Sequence, residues 1–256
     1  MSDQASQPEI SVVIPAYNEA RGIAASLRQV ADYFQSRELA GEIIVVDDGS
    51  SDGTEERARA LVLPGVSVQV LVNEANQGKG YSVRRGLLAA RGRYVGFTDA
   101  DMSTPIAELD KVRAALAGGA DVVIGSRGLA ASHIATHQPW WRERAGRLFG
   151  AFVRSVLLPG IADSQCGFKF FTQAAAQDIL PRQQLSRWAF DVELLYLARR
   201  LGYRISEVPV RWINDPDSKV KMLRDGPRMA WDVLRIRALH RDLQPPAARR
   251  RGNSHG

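Results

Sequence analysis

Across the first half of the chain, short apolar runs rich in β-branched residues alternate with stretches of helical periodicity. The runs fall at 10–15, 42–47, 66–72, 94–98 and 121–125. Between the first two, Ile23, Leu27, Val30 and Phe34 recur at the spacing of one helix face. Asp52-Gly53-Thr54-Glu55 reads as a capping box that opens a second helix, and 78–90 and 105–116 supply further crossovers. Such alternation dictates an α/β fold with a mostly parallel sheet covered by helices on both faces. It also says where a ligand goes: beyond the carboxyl ends of the strands.

After Arg127 the alternation breaks. A loop leads to a helix over 140–158, rich in Arg and aromatic residues and stopped by Pro159-Gly160. A short strand at 167–171, a helix at 188–201, a strand at 204–211 and a last helix at 228–243 follow. The expected organisation is a disordered N-terminus (1–9), one domain (10–243) with halves meeting at 127/128, and a disordered basic tail (244–256).

The chemistry is concentrated in 93–105, where an apolar run ends in Asp99-Ala100-Asp101. Acids at i and i+2 of an extended chain lie on one face. Two converging carboxylates repel unless a cation sits between them, and Mg²⁺ or Mn²⁺ takes such ligands together with substrate phosphates. A plainer reading makes Thr104 a helix cap and Pro105 the first helical position. That leaves the two acids unexplained.

The other strand ends are polar as well: Ala16-Tyr17-Asn18-Glu19, Asp47-Asp48-Gly49-Ser50, Asn73 to Lys79, and Ser126-Arg127. Tyr17 is suited to stack on a base, Asp47 and Asp48 to accept hydrogen bonds from a ribose or base, and Lys79 at a helix start to face an anion. Gly78-Lys79-Gly80 is neither a P-loop, since no Ser or Thr follows the Lys, nor a dinucleotide fingerprint, since Val83 occupies the third glycine position. His133 and His137 have no third zinc ligand in view. Cys166 lacks a His partner motif and reads as a packed thiol.

Composition narrows the class. No apolar run approaches the ~18 residues of a membrane span, and a single cysteine excludes an intrachain disulfide, which suits a reducing cytoplasm. The net charge of +6 is concentrated at one end, where residues 219–256 hold ten Lys/Arg against three Asp. The remainder is nearly neutral, which argues against a nucleic-acid-binding face. Arg249-Arg250-Arg251 instead suits contact with an anionic membrane surface, so the expected location is cytoplasmic and peripheral to a membrane.

The motifs together are specific. Ser11 to Glu19 (SVVIPAYNE), Val45 to Thr54 (VVDDGSSDGT), Asn76 to Gly80 (NQGKG) and Asp99-Ala100-Asp101 resemble the family-2 inverting glycosyltransferases of the GT-A fold. Gly125-Ser126-Arg127, Asp163 to Lys169 (DSQCGFK), Arg187 to Glu193 (RWAFDVE) and Ser218-Lys219 resemble the dolichyl-phosphate β-glucosyltransferase branch and its bacterial relatives. The resemblance implies a GT-A sheet with a C-terminal helical extension and transfer of a hexose, glucose from UDP-glucose, to a polyprenyl phosphate. It implies that Pro15, Ala16, Tyr17, Glu19, Val46, Asp48 and Lys79 hold the nucleotide sugar. Asp99, Ala100 and Asp101 would hold metal and diphosphate, and Lys219 would close over them. Ser103 departs from mannosyl-phosphate synthases, which place a glutamine there; water would complete the coordination.

A phosphate-monoester acceptor, with a second pKa of ~6, is already anionic at neutral pH and needs cations rather than a base. Arg127, Arg142 and Arg147 are candidates, because guanidinium binds phosphate bidentately; Arg147 fits a solvated helix face equally well. A hydroxyl acceptor would instead require a carboxylate base, for which Asp191 or Glu193 is the candidate. The alternatives are a glycosyltransferase with a soluble acceptor and, in another class, an inactive sugar-nucleotide-binding or membrane-scaffold protein.

Overall fold

The computed structural model describes residues 7–137, 139–214 and 222–243, with side chains from residue 225 in the last segment. Its strands are β1 (Ile10–Ala16), β2 (Gly41–Asp47), β3 (Ser67–Val72), β4 (Tyr94–Thr98), β5 (Val122–Ser126), β6 (His133–Ile134), β7 (Phe168–Thr172), β8 (Ile205–Pro209) and β9 (Arg211–Trp212). Seven of them form one sheet in the order β3-β2-β1-β4-β7-β5-β8. Every pairing in it is parallel except the two made by β7, which runs antiparallel between β4 and β5. This is the mostly parallel sheet expected from the alternation.

The helices are α1 (Ile23–Ser36), α2 (Thr54–Arg59), α3 (Lys79–Ala89), α4 (Leu109–Ala117), α5 (Trp140–Val156), α6 (Gln173–Ile179), α7 (Phe190–Arg200) and α8 (Met222–Leu239). Because both faces are covered, the central strands are largely apolar, with buried polar exceptions such as Ser11, Glu42 and Lys169. Val13, Ile44 and Val46 join one core with residues of α3, α6 and α7, while Val12, Ile14, Ile43 and Val45 join the other with α1 and α4. The stripe Ile23, Leu27, Val30 and Phe34 is buried as its spacing required, each side chain stabilising the fold by about 1.5–3 kcal/mol.

Several local expectations are corrected. The capping box does not form: the residue before α2 is Gly53 at φ 87°, and Asp52 instead accepts the Thr54 amide at 3.1 Å from one position further out. Thr104 caps nothing, since Pro105 precedes a short 3₁₀ turn and α4 starts only at Leu109. The strand at 204–211 is two strands, β9 pairing with β6 inside the presumed loop. α6 was not foreseen; Thr172 caps it by accepting the Ala175 amide at 3.2 Å. α8 begins a turn and a half before Arg228, with Pro227 inside it. Residues 7–9 are tied down rather than free, with Glu9 ion-paired to Arg113 at 2.7 Å. Residues 1–6, Ser218, Lys219 and the tail 244–256 lie outside the described residues.

Candidate active site

The loops after β1 and β2 are laced together by the DGSSDGT segment. The Asn18 amide donates to Ser50 Oγ at 2.9 Å, the Glu19 amide to Thr54 Oγ1 at 2.8 Å and the Ala20 amide to Asp52 at 3.0 Å. Asp47 accepts the Ser50 amide at 2.7 Å. Asp48 accepts from Asn73 Nδ2 at 2.6 Å and from the Gln77 and Gly78 amides at 2.9 and 2.8 Å. Both acids, read from sequence as ligand acceptors, also brace the loop scaffold. Asp48 also lines the cleft; Asp47 does not.

One cleft of about 700 Å³ opens at the strand ends and collects most of the expected residues. Pro15, Ala16, Tyr17, Glu19, Asp48, Lys79, Asp99, Ala100, Asp101, Arg127, Arg142 and Asp191 all line it. Val46 does not: its side chain is fully buried in the core, since alternation turns it away from the loop it precedes. Arg147 also stays out, exposed on α5 and 3.4 Å from Glu143.

Asp99 and Asp101 stand at the end of β4 beside Lys79, whose ammonium donates to Asp99 Oδ1. Asp101 accepts the Ser103 amide at 2.8 Å. Burial and the neighbouring Asp99 push its carboxyl up to about 6. Burial pulls the Lys79 ammonium down, but Asp99 and Asp191 more than reverse this and hold it above its usual range. Among the described residues no third Asp, Glu, His or Cys joins the pair. Two converging carboxylates at one strand end are the kind of donor set that a hard divalent cation takes, together with water and phosphate oxygens. Gly167 packs against Asp99 so closely that a Cβ there would overlap its carboxylate.

Arg127, at the end of β5, is gripped by Asp163: Nε donates to Oδ2 at 2.6 Å and Nη2 to Oδ1 at 3.0 Å. Its Cζ lies 5.4 Å from the Trp212 ring centre. Asp163 is itself held in place by Glu207, which accepts the Ala162 and Asp163 amides at 2.7 and 3.0 Å. The Arg127 fork is therefore already used, and only its remaining N–H groups can meet an anion.

Asp191 starts α7 and pairs with the fully buried Lys169 at 2.6 Å. Burial raises its carboxyl, with Lys169 and Lys79 opposing. Glu193 points away, accepting the Gln184 and Leu185 amides and contacting His240 Nε2 at 2.7 Å. That removes it as a candidate base. Cys166 is a packed thiol, raised to about 11 by burial and by Asp163.

Sequence reasoning assigned no role to Trp188, Trp212, Asp163 or Lys169, all of which shape the cleft or its walls. Asp163 and Lys169 did lie inside a recognised segment. The partners they take, however, are 36 and 22 residues away.

The glycosyl transferase family 2 profile matches residues 11–180. The chain belongs to that family. This glycosyltransferase is 35% identical over 240 residues to a dolichyl-phosphate beta-glucosyltransferase of Dictyostelium discoideum, covering 89% of this chain and 73% of that protein. It is 32% identical over 242 residues to the Homo sapiens dolichyl-phosphate beta-glucosyltransferase, covering 90% and 75%. Its fold matches mannosyl-3-phosphoglycerate synthase of Rubrobacter xylanophilus, with TM-score 0.68 at 20% identity over 94% of this chain and 78% of that one. It also matches glucosyl-3-phosphoglycerate synthase of Mycobacterium tuberculosis in complex with Mn²⁺, UDP and glucosyl-3-phosphoglycerate, with TM-score 0.63 at 24% identity over 94% and 82%. No helix among the described residues is long and apolar enough to cross a membrane.

Proposed function

We propose that this glycosyltransferase moves glucose from UDP-glucose to a polyprenyl phosphate of the dolichyl type, at a membrane surface, with Mg²⁺ or Mn²⁺ at Asp99 and Asp101. The observation that carries the reading is the changing character of one cleft. Its inner end holds Asp99, Asp101, Lys79 and Arg127, and its outer end runs between α5 and α8 along Phe149, Phe152, Met229 and Ala230. A ligand with an anionic head and an isoprenoid tail matches that order. The names of the 32–35% identical relatives support the same acceptor class.

When bound, the metal offsets negative charge on the departing nucleoside diphosphate. Pro15, Ala16, Tyr17 and Glu19 hold the nucleotide from the β1 side, and Asp48 shapes the loop opposite. Lys79 adds a fixed cation at the diphosphate. Lys219, outside the described residues, is proposed to close over it. The acceptor phosphate is drawn in by Arg142 and by the free edge of Arg127, and being ionised it attacks the anomeric carbon without a base. Asp191 then has no proton to take; its buried pair with Lys169 makes it a fixed acceptor for a sugar hydroxyl.

The test is a matrix of UDP- and GDP-sugars with Mg²⁺ or Mn²⁺, with and without polyprenyl phosphate, scored by label entering the organic phase. Label should appear there only with UDP-glucose and the lipid. Transfer confined to water-soluble phosphorylated acceptors would overturn the lipid reading and keep the glycosyltransferase.

A further inference from the structure

Half of the ten large hydrophobic side chains exposed among the described residues sit on two helices that share the outer cleft. They are Trp140, Trp141 and Leu148 of α5, at 70%, 51% and 73% exposure, and Trp231 and Leu234 of α8, at 62% and 50%. Neither helix lacks a packed side: Val153, Val233 and Ile236 are buried in the core. The exposed residues are a second face on each. On α5 it runs through Trp140, Arg144, Arg147 and Leu148, and on α8 through Arg228, Trp231, Leu234 and Arg235. Arg237 of α8 donates to the Val156 carbonyl of α5, so the two helices are strapped together.

Charge identifies the occupant. On these faces the arginines are exposed, whereas Glu143, Asp225 and Asp232 of the same helices are half-buried. Tryptophan and leucine ringed by arginine suit the boundary between headgroups and acyl chains, where the indole keeps its N–H wet and the guanidinium meets lipid phosphate. A soluble partner would not require this composition beside a cleft whose outer wall is already apolar.

The geometry points to the α5–α8 rim as a membrane-inserting surface that seats in the interface of an anionic lipid leaflet. The outer cleft then opens toward the acyl region. Its purpose rests on the polyprenyl-phosphate reading, since a seated rim lets the tail enter without crossing water; its test does not.

Full-length protein is floated with phosphatidylglycerol-containing or pure phosphatidylcholine vesicles, without sugar nucleotide or acceptor. Wild type should float with the anionic vesicles, more so at low salt, with tryptophan emission quenched by brominated acyl chains. Combined Trp140→Ser, Trp231→Ser and Leu234→Ser should lower partitioning by about tenfold or more and remove most of the quenching. None of the three lines the cleft, so unchanged melting and unchanged glucose transfer to a short water-soluble prenyl phosphate should accompany the loss. The assignment fails if wild type stays unbound at low salt. It also fails if the variant floats like wild type, or if wild type is a dimer that the same substitutions dissociate. Loss of transfer to the short acceptor by wild type would instead count against the acceptor reading alone.

Discussion

Asp163 grips the Arg127 guanidinium through both carboxylate oxygens, at 2.6 and 3.0 Å, and accepts the Arg127 amide at 3.0 Å. A loop before β7 is thereby fastened to the end of β5 at the cleft. Arg127 is aimed, not merely present.

Arg127→Lys keeps the charge but loses the fork, so Asp163 can no longer fix its direction. Transfer to polyprenyl phosphate should fall by roughly an order of magnitude or more, while slow hydrolysis of UDP-glucose by water changes little. Equal loss in both assays would move Arg127 to the donor side.

Asp163→Asn tests the same pair through stability. Burial opposes ionisation of Asp163, but Arg127 overcomes it and holds the carboxyl far below the usual range. A depressed carboxyl stabilises the fold above its unfolded pKa of ~4 and stops doing so as pH falls through the folded value. Wild type should therefore lose stability on acidification below about pH 4 more steeply than Asp163→Asn. At neutral pH the variant should be weaker by about 1.5–3 kcal/mol in urea melts.

Asp101 carries the opposite sign. Its carboxyl is raised to about 6, so ionising it costs stability in the metal-free protein, a cost absent at acid pH and complete above pH 6. Asp101→Asn should raise the melting temperature of EDTA-treated protein at neutral pH but not at pH ~4. It should also abolish most turnover, since an amide supplies no ligand charge. In wild type, metal affinity measured by calorimetry should weaken as pH drops below about 6.

Gly167→Ala places a methyl group where the Asp99 carboxylate lies. The acid must move, so Mn²⁺ affinity should drop by tenfold or more, in the range expected when a ligand loses its support. Circular dichroism should stay native. Wild-type Mn²⁺ affinity in this variant would show that Asp99 does not bind metal from its present position.

Lys169 and Asp191 are buried together at 2.6 Å. Lys169→Met leaves the acid without its partner and should cost about 3–5 kcal/mol. Adding Asp191→Leu should recover much of that loss while leaving the enzyme inactive. Urea melts of the single and double variants read the difference.

The fold of the first half was legible because each central strand is buried on both faces and ends in polar residues. That signal survives in sequence without any knowledge of partners. Val46, placed at the nucleotide by the family resemblance, turns its side chain into the core instead, because a motif match does not reveal which way a side chain points. Nor did it show that Asp47 and Asp48 accept amides of the chain's own loops, at Ser50, Gln77 and Gly78. Arg127–Asp163, Lys79–Trp188 and β6–β9 could not be read at all. Each joins segments tens of residues apart, and nothing local to either segment encodes the meeting.

The antiparallel insertion of β7 makes the enzyme indivisible. β4, which bears the paired acids, and β5, which bears Arg127, are joined only through a strand synthesised some forty residues after β5. A ribosome that has released residues 1–127 has delivered most of the nucleotide-facing loops, yet β4 and β5 are still unjoined sheet edges. The fragment should be insoluble alone, and neither half can be exchanged for a homologous module by cutting at the loop where the chain's rhythm changes.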